Sequence, residues 1–147
     1  MALVRGCRFP DELHYDVPHY TWYRVEDDGL VRVGLTAVAI AVAREVLVVT
    51  PKRVGREIAR GQGLAMIESA KTVFAIRSAL DGTVAAINET LVARPTLANR
   101  DCYGAAWLLL ARPAAPGWES GLVTGAAIAP ALEAWMDAEG FPGCAGP

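Results

Sequence analysis

The feature that most constrains the fold is a short polar segment between two apolar runs, with one lysine near its end. Residues 64–67 precede the segment and residues 73–76 follow it. Runs of this length and composition are typical of buried or half-buried strands. The residues between them therefore predict a hairpin tip at which Lys71 projects into solvent.

Lys71 taken alone decides little, because most exposed lysines are solvated surface charges. An unmodified, exposed lysine is protonated at neutral pH and is a poor nucleophile. Two interpretations remain open: a lysine presented so that another enzyme can acylate it, or an enzyme whose lysine itself forms a Schiff base. The second would need a desolvated pocket that disfavours the charged amine. The neighbouring Glu68 would act against this requirement.

Two similar stretches, 28–31 and 81–84, each begin with Asp-Gly and continue into β-forming residues. Asp-Gly is a strong short-range hairpin signal, because glycine accepts the positive φ that tight turns need. The two copies are predicted to open strands over 30–35 and 83–87. A repeated strand feature suggests two similar halves, each too small to bury its own core. Two interlocked half-sheets with a lysine hairpin at one end describe a lipoyl or biotinyl carrier domain.

The segments around this sheet predict short elements. Residues 1–18 are expected to be irregular, since their two prolines break any helix. Thr36 is a suitable N-cap for a helix from Ala37 to about Ala43, with a strand as the alternative because the segment is apolar on all sides. Residues 46–49 are predicted to form a strand.

A proline-containing connector leads to a predicted C-terminal helix. Pro130 fits the first turn of this helix, and Gly140 marks its end. Leu132, Trp135 and Met136 fall on one face, which is predicted to pack against the barrel.

The segment from about 20 to 112 resembles the glycine cleavage system H protein and its relatives. The matching residues follow the order and spacing of that family: Trp22, Val33-Gly34-Leu35-Thr36, Val54-Gly55, Glu68-Ser69-Ala70-Lys71, Gly82, Asn88-Glu89, Leu91, Pro95, Asn99, Asp101, Tyr103-Gly104 and Trp107-Leu108. The resemblance implies a mainly β, lipoyl-domain barrel-sandwich hybrid of two quasi-symmetric half-sheets, with short helices and a C-terminal helix.

The same resemblance implies the chemistry at the hairpin. In that family the lysine of the motif formed here by Glu68, Ser69, Ala70 and Lys71 carries lipoic acid as an amide. The protein would then be a non-enzymatic carrier whose swinging arm is loaded by a lipoate ligase or lipoyl assembly enzymes. Biotin is disfavoured, because its acceptor lysine usually sits between two methionines, whereas Ala70 and Thr72 flank Lys71.

A narrower resemblance includes the two ends of the chain. Segments 5–10, 50–55 and 122–125, and a cysteine near the C-terminus, are similar to lipoate-binding proteins of the heterodisulfide-reductase-like sulfur oxidation system. This resemblance implies that the arm on Lys71 carries sulfur-bearing groups to the heterodisulfide-reductase-like complex. The alternative is a glycine cleavage H protein that shuttles a methylamine group among the P, T and L proteins.

A run of basic residues bears on this choice. Lys52, Arg53, Arg56 and Arg60 precede a Gly-Gln-Gly turn, and a solvated loop is the simplest interpretation. Glycine cleavage H proteins commonly carry an acidic residue where Arg53 stands. Because like charge disfavours a wrong partner, we expect the basic loop to exclude glycine decarboxylase.

Length and charge bound the other function classes. The chain of 147 residues is expected to be one carrier domain over 1–147, with a core at about 20–112 and a C-terminal helical extension at about 118–147. A net charge of −2 gives no electrostatic case for nucleic acid. Without a signal-peptide pattern or a long apolar run, a cytoplasmic protein that does not contact a membrane is expected.

The cysteines and histidines do not form a recognisable site. Cys7, Cys102 and Cys144 are far apart and follow no metal-binding spacing, so no metal site is expected. In a reducing cytoplasm all three should be free thiols. His14 and His19 are expected to be ordinary surface residues.

Overall fold

A computed structural model describes residues 1–144 of the chain. The strands are β1 (Ala2–Val4), β2 (Cys7–Phe9), β3 (His14–Asp16), β4 (Thr21–Val25), β5 (Val31–Leu35), β6 (Val46–Pro51), β7 (Glu57–Ile58), β8 (Gly63–Ser69), β9 (Val73–Arg77), β10 (Gly82–Ile87) and β11 (Leu109–Pro113). The α-helices are α1 (Ala37–Ala43), α2 (Glu89–Ala93), α3 (Leu97–Asp101) and α4 (Ile128–Glu139). The predicted class, mainly β with short helices and a final helix, is confirmed. Among the described residues, no helix is long and apolar enough to cross a membrane.

Two antiparallel sheets form the body of the protein. One has six strands in the order β3-β4-β5-β11-β10-β7, and the other has three in the order β6-β8-β9. In the smaller sheet Ser69 pairs with Val46, and Ala65 pairs with Pro51. This register places the turn after β8 beside the start of β6.

The main core lies between the sheets. Its buried members include Val33, Leu35, Ile67, Ile76 and Leu109. On β8 Ile67 is buried and the preceding Met66 is exposed, as expected for successive side chains on opposite faces of a strand. Each fully buried aliphatic side chain of this kind stabilises the fold by about 1.5–3 kcal/mol.

The two Asp-Gly stretches have different roles. Gly29 has φ +82°, and its N–H donates to the carbonyl of Glu26 in the β4–β5 hairpin, as predicted. Gly82 instead opens β10, which pairs with β11 and β7 and not with the preceding β9. A Cβ at Gly82 would lie 2.2 Å from the Arg112 carbonyl oxygen. The second glycine is therefore needed for close strand approach. The strand predicted to open here is confirmed, but it does not form a hairpin with the preceding strand.

The helix predicted at Ala37–Ala43 is present, but neither of its ends follows the simple rules. The Thr36 hydroxyl makes no capping bond, and the Ala37 N–H donates to the Tyr103 hydroxyl at 2.9 Å. At the other end Arg44 adopts φ +64° and ψ −116°. A positive φ favours glycine, and here an arginine keeps the strained turn.

The expectation that residues 1–18 are irregular is wrong. β1 and β2 form a hairpin, and β3 pairs with β4. Proline disfavours the interior of a helix but does not exclude short strands, and Pro18 itself lies in a 3-10 helix over Val17–His19. The buried faces of β1 and β2 pack with Leu132 and Met136 of α4 in a second core cluster. The predicted packing face of the final helix, with Pro130 in its first turn, is therefore confirmed for these two residues.

The expectation of three free thiols is also wrong, because Cys7 and Cys144 form a disulfide. The partners are 137 residues apart in sequence, and the β1–β2 hairpin brings them together with the segment after α4. The Cys144 N–H donates to the Arg5 carbonyl at 2.9 Å. Cys102 alone of the three has a free thiol.

Candidate lysine-presenting site

The predicted β8–β9 hairpin is present, and Lys71 lies at its tip. The Ser69 N–H donates to the Thr72 carbonyl at 2.8 Å and closes the turn. The Ser69 hydroxyl oxygen accepts from the N–H groups of Lys71 at 3.3 Å and Thr72 at 3.2 Å. Ser69 thus fixes the backbone of the turn, while Ala70 and Lys71 are exposed.

The surroundings of the amine favour acylation over Schiff-base chemistry. Lys71 is exposed, and no ion pair within residues 1–144 involves it or Glu68. Glu68 is half-buried on β8, where it pairs with Val48 on one side and Val73 on the other. The Lys71 amine therefore has no desolvated pocket of the kind that an active-site lysine needs.

The outer face of the three-stranded sheet is apolar next to the tip. Val48, Met66 and Val73 have exposed fractions of 42%, 41% and 56%. They lie on neighbouring strands and surround Glu68. An enzyme that approaches the Lys71 amine would meet this face together with the Glu68 carboxylate.

A row of three aromatic rings supports the hairpin from the inner side. The Tyr20 ring makes edge-to-face contacts with Phe74 of β9 at 6.2 Å and Trp135 of α4 at 5.8 Å between ring centroids. Tyr20 has φ +67°, and burial raises the pKa of its hydroxyl. This link between β9 and α4 was not predicted from the sequence.

Asn99 is a second supporting residue whose role sequence reasoning missed. Its side-chain oxygen accepts from the Val46 N–H at 2.9 Å, and its amide nitrogen donates to the Arg44 carbonyl. Because Val46 pairs with Ser69, these bonds hold the strand next to the lysine turn. Asn99 was among the residues that carried the family resemblance, and this was the available signal.

The basic loop is not part of this site. The loop follows Pro51, whereas the lysine turn lies beside Val46 at the other end of β6. Five strand steps separate these ends by about 17 Å. Arg60 does not extend toward Lys71, since its guanidinium donates to the Trp118 carbonyl at 3.3 Å.

The two histidines belong to elements other than the hairpin. His14 belongs to β3, and the ring of His19 lies 2.9 Å from an Asp16 carboxylate oxygen. The described residues contain no group of three or more His, Cys, Asp or Glu side chains able to hold a metal ion.

Comparisons with known proteins agree with this geometry. The sequence model described as Glycine cleavage H-protein matches residues 13–134. The chain belongs to this family. Glycine cleavage system H protein 5 of Aquifex aeolicus is 40% identical over 120 residues, which cover 79% of this chain and 80% of that protein. The glycine cleavage system H protein of Mycobacterium avium is 35% identical over 134 residues, covering 91% and 94% respectively.

The fold is shared as well. The crystal structure of a glycine cleavage system H protein from Mycobacterium marinum superposes with a TM-score of 0.72 at 27% identity. It covers 90% of this chain and all of that one. The overall fold of the chain is thus similar to that of a solved glycine cleavage system H protein.

Proposed function

We propose that this protein is a lipoyl carrier of the glycine cleavage system, with lipoic acid attached through an amide to Lys71. The observation that carries the proposal is an exposed Lys71 amine on a turn fixed by Ser69, within the family motif. An unpaired, solvent-facing amine fits acylation by a separate enzyme. When bound, the lipoyl group supplies a ring disulfide that nucleophiles and reductants open easily.

The residues of the chain act on the arm by position. Ser69 and Ala70 set the direction in which Lys71 leaves the turn, and the two strands restrict movement of its Cα. Acylation removes the charge of the amine, so the modified side chain can move across the apolar face beside it. Glu68 serves recognition by the lipoate ligase or lipoyl assembly enzyme, since its carboxylate lies on the face that such an enzyme would meet.

The group carried is proposed to be the methylamine fragment of glycine, passed among the P, T and L proteins. The names of the relatives support this choice over sulfur transfer. The basic loop was expected to exclude glycine decarboxylase by charge repulsion. Because the loop lies far from Lys71, this repulsion would not act where the decarboxylase meets the lipoyl arm. Cytoplasmic localisation is part of the same proposal.

Sulfur transfer through a heterodisulfide-reductase-like complex is the second candidate. One observation favours it: Cys7 and Cys144, which belong to the narrower resemblance at the chain ends, are joined in the structure. The terminal segments would then form a surface that distinguishes this branch from other H proteins.

A reconstituted glycine decarboxylase reaction separates the two candidates. Lipoylated protein is added to the decarboxylase, and exchange of labelled bicarbonate into glycine is measured. We expect exchange comparable with that of a genuine H protein, and none with a Lys71→Arg control. Absence of exchange from fully lipoylated protein, together with activity in a reconstituted heterodisulfide-reductase-like reaction, would overturn the proposal in favour of the second candidate.

A further inference from the structure

A cleft of about 480 Å³ runs along the side of α1 and is separate from the lysine turn. Ala37, Ile40 and Ala41 form its α1 wall, and the end of α3 with Cys102 forms the opposite wall. Cys144 of the disulfide also lines it. One cysteine of the disulfide and the free cysteine Cys102 therefore line the same cleft.

The disulfide is exposed on one side only. Cys7 has an exposed fraction of 0%, within the apolar cluster around β1, β2 and α4. Cys144 is half-buried, and its sulfur lies 3.6 Å from the Ala37 carbonyl oxygen at the cleft wall. Cys144 is thus the cysteine of this bond that lines the cleft, whereas Cys7 is fully buried.

The charges that line the cleft are mainly positive. Arg8 and Arg100 line it and are exposed, and neither forms an ion pair within residues 1–144. Asp101 is the acidic residue among the lining side chains, and its carboxylate accepts from the Ala105 N–H at 2.8 Å. Two guanidinium groups and one carboxylate thus line the cleft. Their net positive charge raises the local concentration of an anionic ligand.

We propose that this cleft is a thiol-exchange site, which takes small anionic thiols and forms a mixed disulfide with Cys144. The thiolate attacks the Cys144 sulfur, the Cys7–Cys144 bond breaks, and Cys7 leaves with the electron pair and takes up a proton. The incoming thiol supplies the only reductant. The site is independent of lipoylation at Lys71.

Burial decides what each remaining thiol does. Cys7 is released into an apolar cluster that disfavours its thiolate, which makes it a slow leaving group in the exchange and a slow nucleophile in the reverse step. Cys102 lies in the same cleft, but burial raises the pKa of its thiol to about 12. At neutral pH Cys102 therefore stays protonated and does not compete as the attacking group.

Opening of the disulfide by thiols of opposite charge tests the proposal. The oxidised, full-length Lys71→Arg protein, which cannot carry a lipoyl dithiol, is mixed anaerobically with 2-mercaptoethanesulfonate or cysteamine at equal thiolate concentration. Acid-quenched samples are followed by intact mass and peptide mapping. We expect the anionic thiol to open the disulfide about three- to tenfold faster at low ionic strength, with the adduct on Cys144, and salt to reduce the ratio.

Matched arginine variants assign the preference to the cleft. The Arg8→Gln/Arg100→Gln double variant should lose the preference for the anionic thiol. Arg94→Gln, which changes an exposed arginine that does not line the cleft, should keep it. Equal rates for the two thiols, an adduct on Cys7, or the same preference in the double variant would overturn the proposal.

Discussion

Arg44 shows, at the scale of one residue, how the chain keeps a turn without the residue best suited to it. Its backbone lies at φ +64° and ψ −116°, a region that side chains with a Cβ rarely adopt. The Arg44 N–H still donates to the Ile40 carbonyl at 2.7 Å, and Asn99 binds the Arg44 carbonyl. The strain is thus held by bonds on both sides of the residue.

Replacement of Arg44 by glycine should stabilise the protein. Glycine adopts this conformation without a clash between Cβ and backbone, so Arg44→Gly is expected to raise the free energy of unfolding by about 1 kcal/mol. Chemical denaturation followed by circular dichroism would measure the change. Arg94, the residue after α2, has φ −134° and is the matched control, because Arg94→Gly should give no gain. A loss of stability in Arg44→Gly would show that the arginine side chain, and not the backbone, decides this turn.

The β8–β9 hairpin is the element on which the proposed function depends. Its strands could be predicted because each side of the turn has a short apolar run, and its lysine motif could be matched to a family. The bonds from the Ser69 hydroxyl to the N–H groups of Lys71 and Thr72 could not be predicted. They depend on the backbone geometry of the turn, which the pattern of apolar residues does not reveal. The exposed position of Lys71 follows from these bonds.

Removal of the Ser69 hydroxyl should loosen the turn. Ser69→Ala deletes the acceptor for the N–H groups of Lys71 and Thr72 and is expected to cost about 1 kcal/mol. Amide hydrogen exchange should become faster at these two N–H groups. Thr50→Ala, on the exposed face of the same sheet, is the control and should leave the turn unchanged. Unaltered exchange at Lys71 and Thr72 in Ser69→Ala would contradict this description.

The other elements show which signals a sequence contains. The final helix was predicted because proline, glycine and apolar spacing are local features. Helix α1 was predicted from Thr36 as an N-cap, although the Thr36 hydroxyl makes no capping bond. The strands within residues 1–18 were missed because each has three residues, too few to show alternation. The second Asp-Gly stretch was misinterpreted because its backbone approaches β11, a partner distant in sequence.

At the scale of the whole molecule, the Cys7–Cys144 disulfide joins the first hairpin to the segment after α4. The spacing of the cysteines could not reveal this pairing, because three cysteines allow several different pairs. The assumed reducing compartment also favoured free thiols over any disulfide. The pairing depends on a fold in which both ends meet beside α1. The Arg5 guanidinium adds charged contacts to Glu133 and Asp137 of α4 at the same place.

Loss of this disulfide should destabilise the protein as a whole. A cross-link over 137 residues restricts the unfolded chain strongly, so Cys144→Ser should lower the free energy of unfolding by about 3 kcal/mol. Denaturation without reductant would measure the loss, and Cys102→Ser is the control with a free thiol. Equal stability of Cys144→Ser and the unaltered protein under these conditions would contradict a structural role of the bond.

The central claim is that the whole fold presents one lysine for lipoylation. Co-expression with a competent lipoate ligase, followed by intact mass measurement and peptide mapping, tests it most directly. We predict one lipoyl group per chain, located on Lys71, and a Lys71→Ala variant that stays unmodified with unchanged stability, because truncation of an exposed side chain leaves no cavity. A lipoyl group on Lys52, or an unmodified Lys71 in the presence of the ligase, would contradict the account.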